Sequence, residues 1–423
     1  MDTQTLSLIT IPLFTGAIGY VTNMTGVWML FYPIRFHGIR APGLAALATL
    51  LPRRVQQIPG VMQGGIGWQG IVPSRAAKMG SIAVDKGIAK LGGAGDFYRQ
   101  LDPEAIAEQI LTTARDEIEE VVERIMERGH PQLWHDLPER LREVVHARVQ
   151  EQLPEIVRSI TDQIGEHIDE LLNVKLMVIR HLEENPQLTN RIFLEVGSKE
   201  LRFIVNFGFF FGFMLGVPTA FVTELVLTQW WVLPIAGVLI GYSTNLLGIR
   251  MIFEPVRPRR LGPLTIQGLF IKRQPEVAGV YADVIASDIV TMSNIAEDLL
   301  HGPNSDRTRQ MIEVVLRPAV DMAAGRARPA VRVAVGPEQY AAIRSSVAEE
   351  AAGRTVASLT DSDFDRMQSN NIREFVTQRV REMGPADFSE MLRTVVREDE
   401  WLLYLHGAVL GFGAGLLHLA IFG

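Results

Sequence analysis

The side chains best placed to do chemistry form two matching clusters: Tyr20, Thr22 and Asn23, and Tyr242, Thr244 and Asn245. Each is set inside a long apolar run. Amides, hydroxyls and phenols at such a depth offer hydrogen bonds and oxygen ligands but no charge. They suit the binding or passage of an ion or a polar headgroup, and they argue against a proton relay through the motif. The plainer reading is interhelical hydrogen-bond glue, worth about 1 kcal/mol per contact in a membrane. Asn23 lies about nine residues before the end of its run, roughly 13 Å deep at 1.5 Å per residue. Polar side chains at that depth face protein or water rather than lipid.

A second group is cationic. Arg35, Arg75, Arg257, Lys272 and Arg273 follow two of the apolar runs and are placed to bind lipid phosphate or another anion. Membrane topology by itself also demands positive charge there. Nothing else approaches the chemistry of an enzyme. The chain has no cysteine and no H-E-x-x-H, and His418 has no second ligand at metal spacing. Gly65-Ile66-Gly67-Trp68-Gln69-Gly70 spells G-x-G-x-x-G without the preceding strand and following acidic residue of a dinucleotide site. The expectation is no enzyme, no metal and no cofactor.

The elements that position these residues are membrane spans. Residues 6–32, 201–222, 231–253 and 401–422 are long and apolar enough to cross roughly 30 Å of hydrocarbon. The composition, 47% hydrophobic yet 21% charged, fits a hybrid of spans and hydrophilic arms. A basic nucleic-acid face is absent, so no nucleic-acid partner is expected. Basic residues cluster after the first span (Arg35, Arg40, Arg53, Arg54) and after the third (Arg257, Arg259, Arg260, Lys272, Arg273). They also precede the second (Lys199, Arg202) and the fourth (Arg393, Arg397), whereas the linker between the middle spans has no Lys or Arg. The positive-inside rule then places both termini outside and both long segments in the cytoplasm. The first apolar run lacks a basic n-region and a cleavage site, so it reads as a retained span.

The organisation is therefore a span with the polar motif over 1–35 and a cytoplasmic helical segment over 36–200. Two spans over 201–253, a second cytoplasmic helical segment over 254–400 and a last span over 401–423 follow. The segments read as helix almost throughout. Asp102-Pro103 is a helix start, with Asp as N-cap and Pro at the first helical position. Ile106, Ile110, Ile118, Val121 and Ile125, then Ile156, Ile160, Ile164, Ile168 and Leu171, recur at helical spacing.

The strongest pattern is internal. Gly19-Tyr20-Val21-Thr22-Asn23 recurs as Gly241-Tyr242-Ser243-Thr244-Asn245. The register continues through Gly26/Gly248, Met29/Met251, Phe31/Phe253, Pro33/Pro255 and Arg35/Arg257. After an insertion in the first copy, Gln69-Gly70 matches Gln267-Gly268, Arg75 matches Arg273 and Asp85 matches Asp283. Gly208, Gly212 and Gly216 mirror Gly407, Gly411 and Gly415, and these G-x-x-x-G steps clear a flat stripe for close helix packing. The expected fold is an all-α membrane protein. Its four transmembrane helices come from a parallel duplication of helix, cytoplasmic helical arm and helix, with a pseudo-two-fold axis along the membrane normal.

The paired G-Y-x-T-N…M-x-F-x-P motifs, followed by Q-G and a basic residue, resemble the YheB/YjiN-like family of bacterial membrane proteins. So does the run Asp399-Glu400-Trp401-Leu402-Leu403 into a Gly-rich span. The resemblance covers essentially the whole chain. It implies the topology above and a bacterial inner-membrane location, and it supplies no activity and no catalytic residues. The functional expectation is a transport or lipid-handling component whose polar intramembrane site is formed by the doubled Thr-Asn motifs. Its partner is the lipid bilayer, and four spans being few for a transporter, a homo-oligomer or a lipid-facing groove is implied. The alternative is a non-catalytic scaffold whose acidic helical arms recruit a cytoplasmic protein partner.

Overall fold

The computed structural model describes residues 3–40, 50, 52–56, 58–59, 65–129, 131–227, 229–324 and 361–422. Most of the insertion around 41–65, and the side chains of Arg40, Arg53 and Arg54, lie outside the described residues. The chain divides into two compact units. One comprises Met1–Gly87, Ile179–Tyr281 and Arg379–Gly423; the other comprises Ile88–Val178 and Ala282–Gln378.

Among the described residues the first unit holds four helices long and apolar enough to cross a membrane. They are α1 (Thr3–Phe31), α4 (Pro186–Leu225), α5 (Val232–Phe253) and α9 (Glu400–Phe422). Pro186 opens α4 at the helix start, where its missing N–H costs nothing. That helix runs for 40 residues, so the apolar stretch beginning at Leu201 is the second part of a longer rod. Phe210, Leu239 and Val409 stand well exposed on the outer faces of these helices. Water penalises such a surface and lipid does not.

Each pairing rests on glycine. α1 packs along α4, and α5 along α9. A Cβ on Gly208 would collide with the Gly19 carbonyl, and one on Gly407 with the Gly241 carbonyl. Gly212 lies against Thr15, Gly216 against Pro12 and Thr15, Gly411 against Gly237, and Gly415 against Pro234. Backbone therefore meets backbone along both seams, the contact that small residues permit in a membrane.

After α1 and after α5 the chain makes the same sequence of turns. A two-stranded antiparallel hairpin comes first: β1 (His37–Arg40) with β2 (Gly65–Trp68), and β3 (Arg259–Leu261) with β4 (Leu264–Ile266). Gly262, at φ +60°, and Pro263 form the two-residue turn of the second hairpin, and a residue bearing a Cβ would be strained at that φ. Next comes a one-turn helix, α2 (Ile71–Ser74) or α6 (Leu269–Lys272), and then α3 (Ala76–Ala83) or α7 (Gln274–Val284). The Gly70 N–H donates to the Pro33 carbonyl at 2.8 Å, and that of Gly268 to Pro255 at 3.0 Å. Gln69 and Gln267 each donate their side-chain amide to a backbone carbonyl one residue past those prolines, Ile34 and Val256. A further helix, α8 (Pro385–Arg397), precedes α9.

Among the described residues the second unit is helical. Asp102 Oδ1 accepts from the backbone N–H groups of Glu104 and Ala105, capping the helix Pro103–Gly129. Ile106 and Ile110 are buried on its inner face. Ile160 of the helix Glu139–Leu171 packs with Leu300, Ile312 and Leu316. The hairpins depart from a reading of helix almost throughout the hydrophilic segments, because their strands are too short to carry a period-two pattern.

Candidate functional site

Asn23, Thr22, Asn245 and Thr244 are all buried. Asn23 Nδ2 donates to the Ile204 carbonyl at 2.6 Å, joining α1 to α4. Asn245 Nδ2 donates to the Leu403 carbonyl at 2.6 Å, joining α5 to α9. Each amide therefore ties together one helix pair. Thr22, Asn23 and Thr244 line a cavity of about 30 Å³ that Asn245 does not reach. At 10–15 Å³ per molecule it has room for about two or three waters, too little for a lipid headgroup. Tyr20 and Tyr242 are exposed on the outer surface, so the phenols do not join the amides in a ring. The buried seam of α1 follows Gly19, Thr22, Asn23 and Gly26, and Tyr20 sits about 100° past Gly19 around the helix.

The cations separate into two kinds. Arg35, Arg257 and Lys272 are exposed. Arg75 and Arg273 are each bound to a carboxylate: Arg75 to Asp399 at the head of α9, Arg273 to Glu200 in α4. The side chains of Arg75, Asp399 and Glu200 are 6%, 4% and 2% exposed. A second bridge flanks each of these. Lys78 of α3 pairs with Glu398, and Glu276 of α7 pairs with Lys199 of α4, the same arrangement with its charges reversed. Burial pushes the Asp399 carboxyl up from its ordinary range, against the pull of Arg75 and Lys78. Hydrogen bonds from Arg273 and then Lys199 hold the exposed Glu276 carboxyl down at about 2. Arg75 and Arg273 are thus both committed to carboxylates.

These bridges border a second, larger cavity of about 100 Å³, partly open, where the ends of α1 and α5 meet α4 and the start of α9. Its walls come from all four apolar helices together with α2, α3, α6 and α8. Phe31 faces it from α1 and Phe253 from α5, Ile204 from α4 and Leu403 from α9. The lining is apolar except for Glu200, Asp399 and Glu400, and among the described residues it includes no Lys or Arg. Glu400 Oε2 accepts from the Tyr404 hydroxyl at 3.0 Å, while Arg393 of α8 holds Glu254 at 2.6 Å.

The sequence reading missed the carboxylates. The signal was available: the register that matches Gly208 with Gly407 also matches Glu200 with Asp399, eight residues upstream of each glycine. The cavity itself left no trace in the sequence, because it is defined by where side chains stop short.

No family model matches the chain, and no solved structure matches it. It is similar to a UPF0754 membrane protein of Cyanothece sp., with 32% identity over 91 residues, and to one of Synechococcus sp., with 35% identity over 94 residues. Each match covers 21% of this chain, which thus spans 22% of the length of either relative. Joined to the four apolar helices, the likeness defines a helical membrane protein in contact with the bilayer.

Proposed function

We propose that this is a non-enzymatic lipid-handling protein of the bacterial inner membrane, and that it lodges an apolar chain in the cavity of about 100 Å³ between its four long helices. That cavity is the observation that carries the reading. An engineered apolar cavity of about 150 Å³ binds a small hydrocarbon, so one of this size suits several methylenes. Buried polar groups at one end and a lipid-facing exterior suit an amphiphile. The doubled Thr-Asn motifs then serve as the bolts that hold each helix pair.

The matched contacts support an internal duplication. Asn23 to Ile204 repeats as Asn245 to Leu403, and Arg75 to Asp399 repeats as Arg273 to Glu200. The distribution of basic residues supports termini outside and hydrophilic segments in the cytoplasm. One chain supplies all four long helices around the cavity, so this reading does not depend on a homo-oligomer. The alternative is a scaffold whose arms recruit a cytoplasmic partner. It is favoured by Leu141 and Val144, which are exposed on the helix Glu139–Leu171.

The absence of cysteine allows a direct test. Leu201→Cys, on the cavity wall, should react in membranes with a lipid-soluble maleimide and resist a water-soluble one. Trp230→Cys, in the linker before α5, should react with both. Rapid reaction of Leu201→Cys with the water-soluble reagent would make the cavity an aqueous vestibule and overturn the lipid reading.

A further inference from the structure

Two stretches of this acidic chain contain no acid. Asp and Glu make up 48 of its 423 residues, yet neither occurs in residues 33–75 or 255–273, which follow α1 and α5. Each stretch carries five Lys or Arg residues. Topology asks only for those basic residues, because Asp and Glu contribute little to the positive-inside rule. Their exclusion points instead to a negatively charged surface that would repel them.

These stretches hold the two hairpins, and both hairpins are pinned to the ends of apolar helices. α5 has 22 residues, about 33 Å at 1.5 Å each, so Phe253 falls near the edge of a hydrocarbon layer of roughly 30 Å. The bond from the Gly268 N–H to the Pro255 carbonyl brings the chain after β4 back to that point. The bond from Gly70 to Pro33 does the same after β2. Trp68, the last residue of β2, also donates its indole N–H to the Met29 carbonyl of α1 at 3.4 Å. Ile66 and Ile266 each stand two residues before such an anchor, about 7 Å along a strand. The headgroup layer is about 5–8 Å thick.

The chemistry on the hairpins fits that layer. Ile39 and Ile66 are directly opposed in the β1–β2 ladder and so share a face. They are 78% and 73% exposed. In the other hairpin, exposed Arg259 is opposed to exposed Ile266. Arg35, Arg257, Arg259 and Arg260 are exposed and make no ion pair among the described residues, unlike Arg75 and Arg273. Apolar side chains bordered by uncommitted guanidinium groups suit a boundary where acyl chains meet phosphates. A zwitterionic headgroup carries its own ammonium, whereas an anionic one leaves its charge for the arginines.

We propose that the two hairpins dock on anionic phospholipid in the leaflet where α1 and α5 end. Their isoleucines enter the interface, and Arg35, Arg257, Arg259 and Arg260 hold the phosphates. The inference goes beyond the cavity reading and does not depend on it.

The chain has no cysteine, so Ile39→Cys and Ile266→Cys each accept one environment-sensitive fluorophore in the full-length protein. Each is placed in nanodiscs of phosphatidylcholine, or of equal parts phosphatidylcholine and phosphatidylglycerol, whose brominated acyl chains quench a fluorophore that enters the bilayer. Quenching at both sites should be at least twofold greater in the mixed bilayer. With Arg257→Gln, Arg259→Gln and Arg260→Gln combined, quenching at Ile266→Cys should fall to its phosphatidylcholine value. A label at Phe210→Cys, on the outer face of α4, should be quenched alike in every sample and so shows that the protein is inserted. Labels at both hairpins that stay unquenched in both bilayers overturn the docking. Equal quenching in the two bilayers, or in the parent and the arginine variant, overturns the role of the anionic headgroup.

Discussion

Arg75→Met should destabilise the protein by about 3–5 kcal/mol, because it leaves the Asp399 carboxylate buried without its guanidinium. The double change Arg75→Met/Asp399→Leu should recover most of that loss, since two apolar side chains of similar volume tolerate the same surroundings. Arg273→Met should cost less than Arg75→Met. Arg273 is itself 22% exposed, and Lys199, which already binds Glu276, stays beside the emptied position. Thermal unfolding of the parent, Arg75→Met, Asp399→Leu and the double variant in one detergent closes a double-mutant cycle. A single Arg75→Met that unfolds within 1 °C of the parent would show that the buried bridge does not support the fold.

The flanking bridges give that frame its direction. Both are exposed and worth little individually, about 0.2–1 kcal/mol. Their signs nevertheless disfavour the uncrossed arrangement. If α3 docked on α4, Lys78 would face Lys199; if α7 docked at the head of α9, Glu276 would face Glu398. Opposite charges meet only in the crossed pairing that the structure shows. Reversed charges at matched positions thus distinguish two similar docking surfaces, as repulsive pairs do in other specific interfaces.

Gly407→Leu should be the other severe change, at about 2–4 kcal/mol. A Cβ there meets the Gly241 carbonyl and the Asn245 amide. Backbone cannot rotate away as a side chain can, so α5 and α9 must separate. Separation would also lose the bond from Asn245 to Leu403. Gly413→Leu is the matched control, two residues beyond Gly411 on the same helix, where an added Cβ meets nothing within 4 Å. It should leave the unfolding temperature nearly unchanged. Equal behaviour of the two variants would mean that glycine in α9 serves some purpose other than close packing.

The four long helices were legible because length and apolarity are local properties of sequence. The cap at Asp102-Pro103 was legible for the same reason: it needs only neighbouring residues. The second hairpin had a readable signal in Gly262-Pro263 between two leucines, a glycine followed by proline in a two-residue turn. The first had none, since its strands are separated by the long insertion. Tyr20 and Tyr242 were placed with the amides by matching letters, whereas the helical angle turns them outward. Glu200 and Asp399 depend on partners far away in sequence, and only the register that matches Gly208 with Gly407 could have picked them out. The cavity depends on packing among eight helices, which no stretch of sequence records.

Native mass spectrometry of the protein released from nanodiscs, beside Gly197→Leu, is the most direct test of the cavity. A Cβ at Gly197 would meet Phe270 at 3.6 Å and Leu201 at 3.8 Å, ordinary contacts, so the leucine fits and its remaining carbons fill the space. The parent should retain a bound amphiphile that the variant has lost. The variant should also melt at the same temperature or higher, as cavity-filling changes do. Identical retention of lipid by both proteins, with the variant folded, would contradict a ligand site in that cavity.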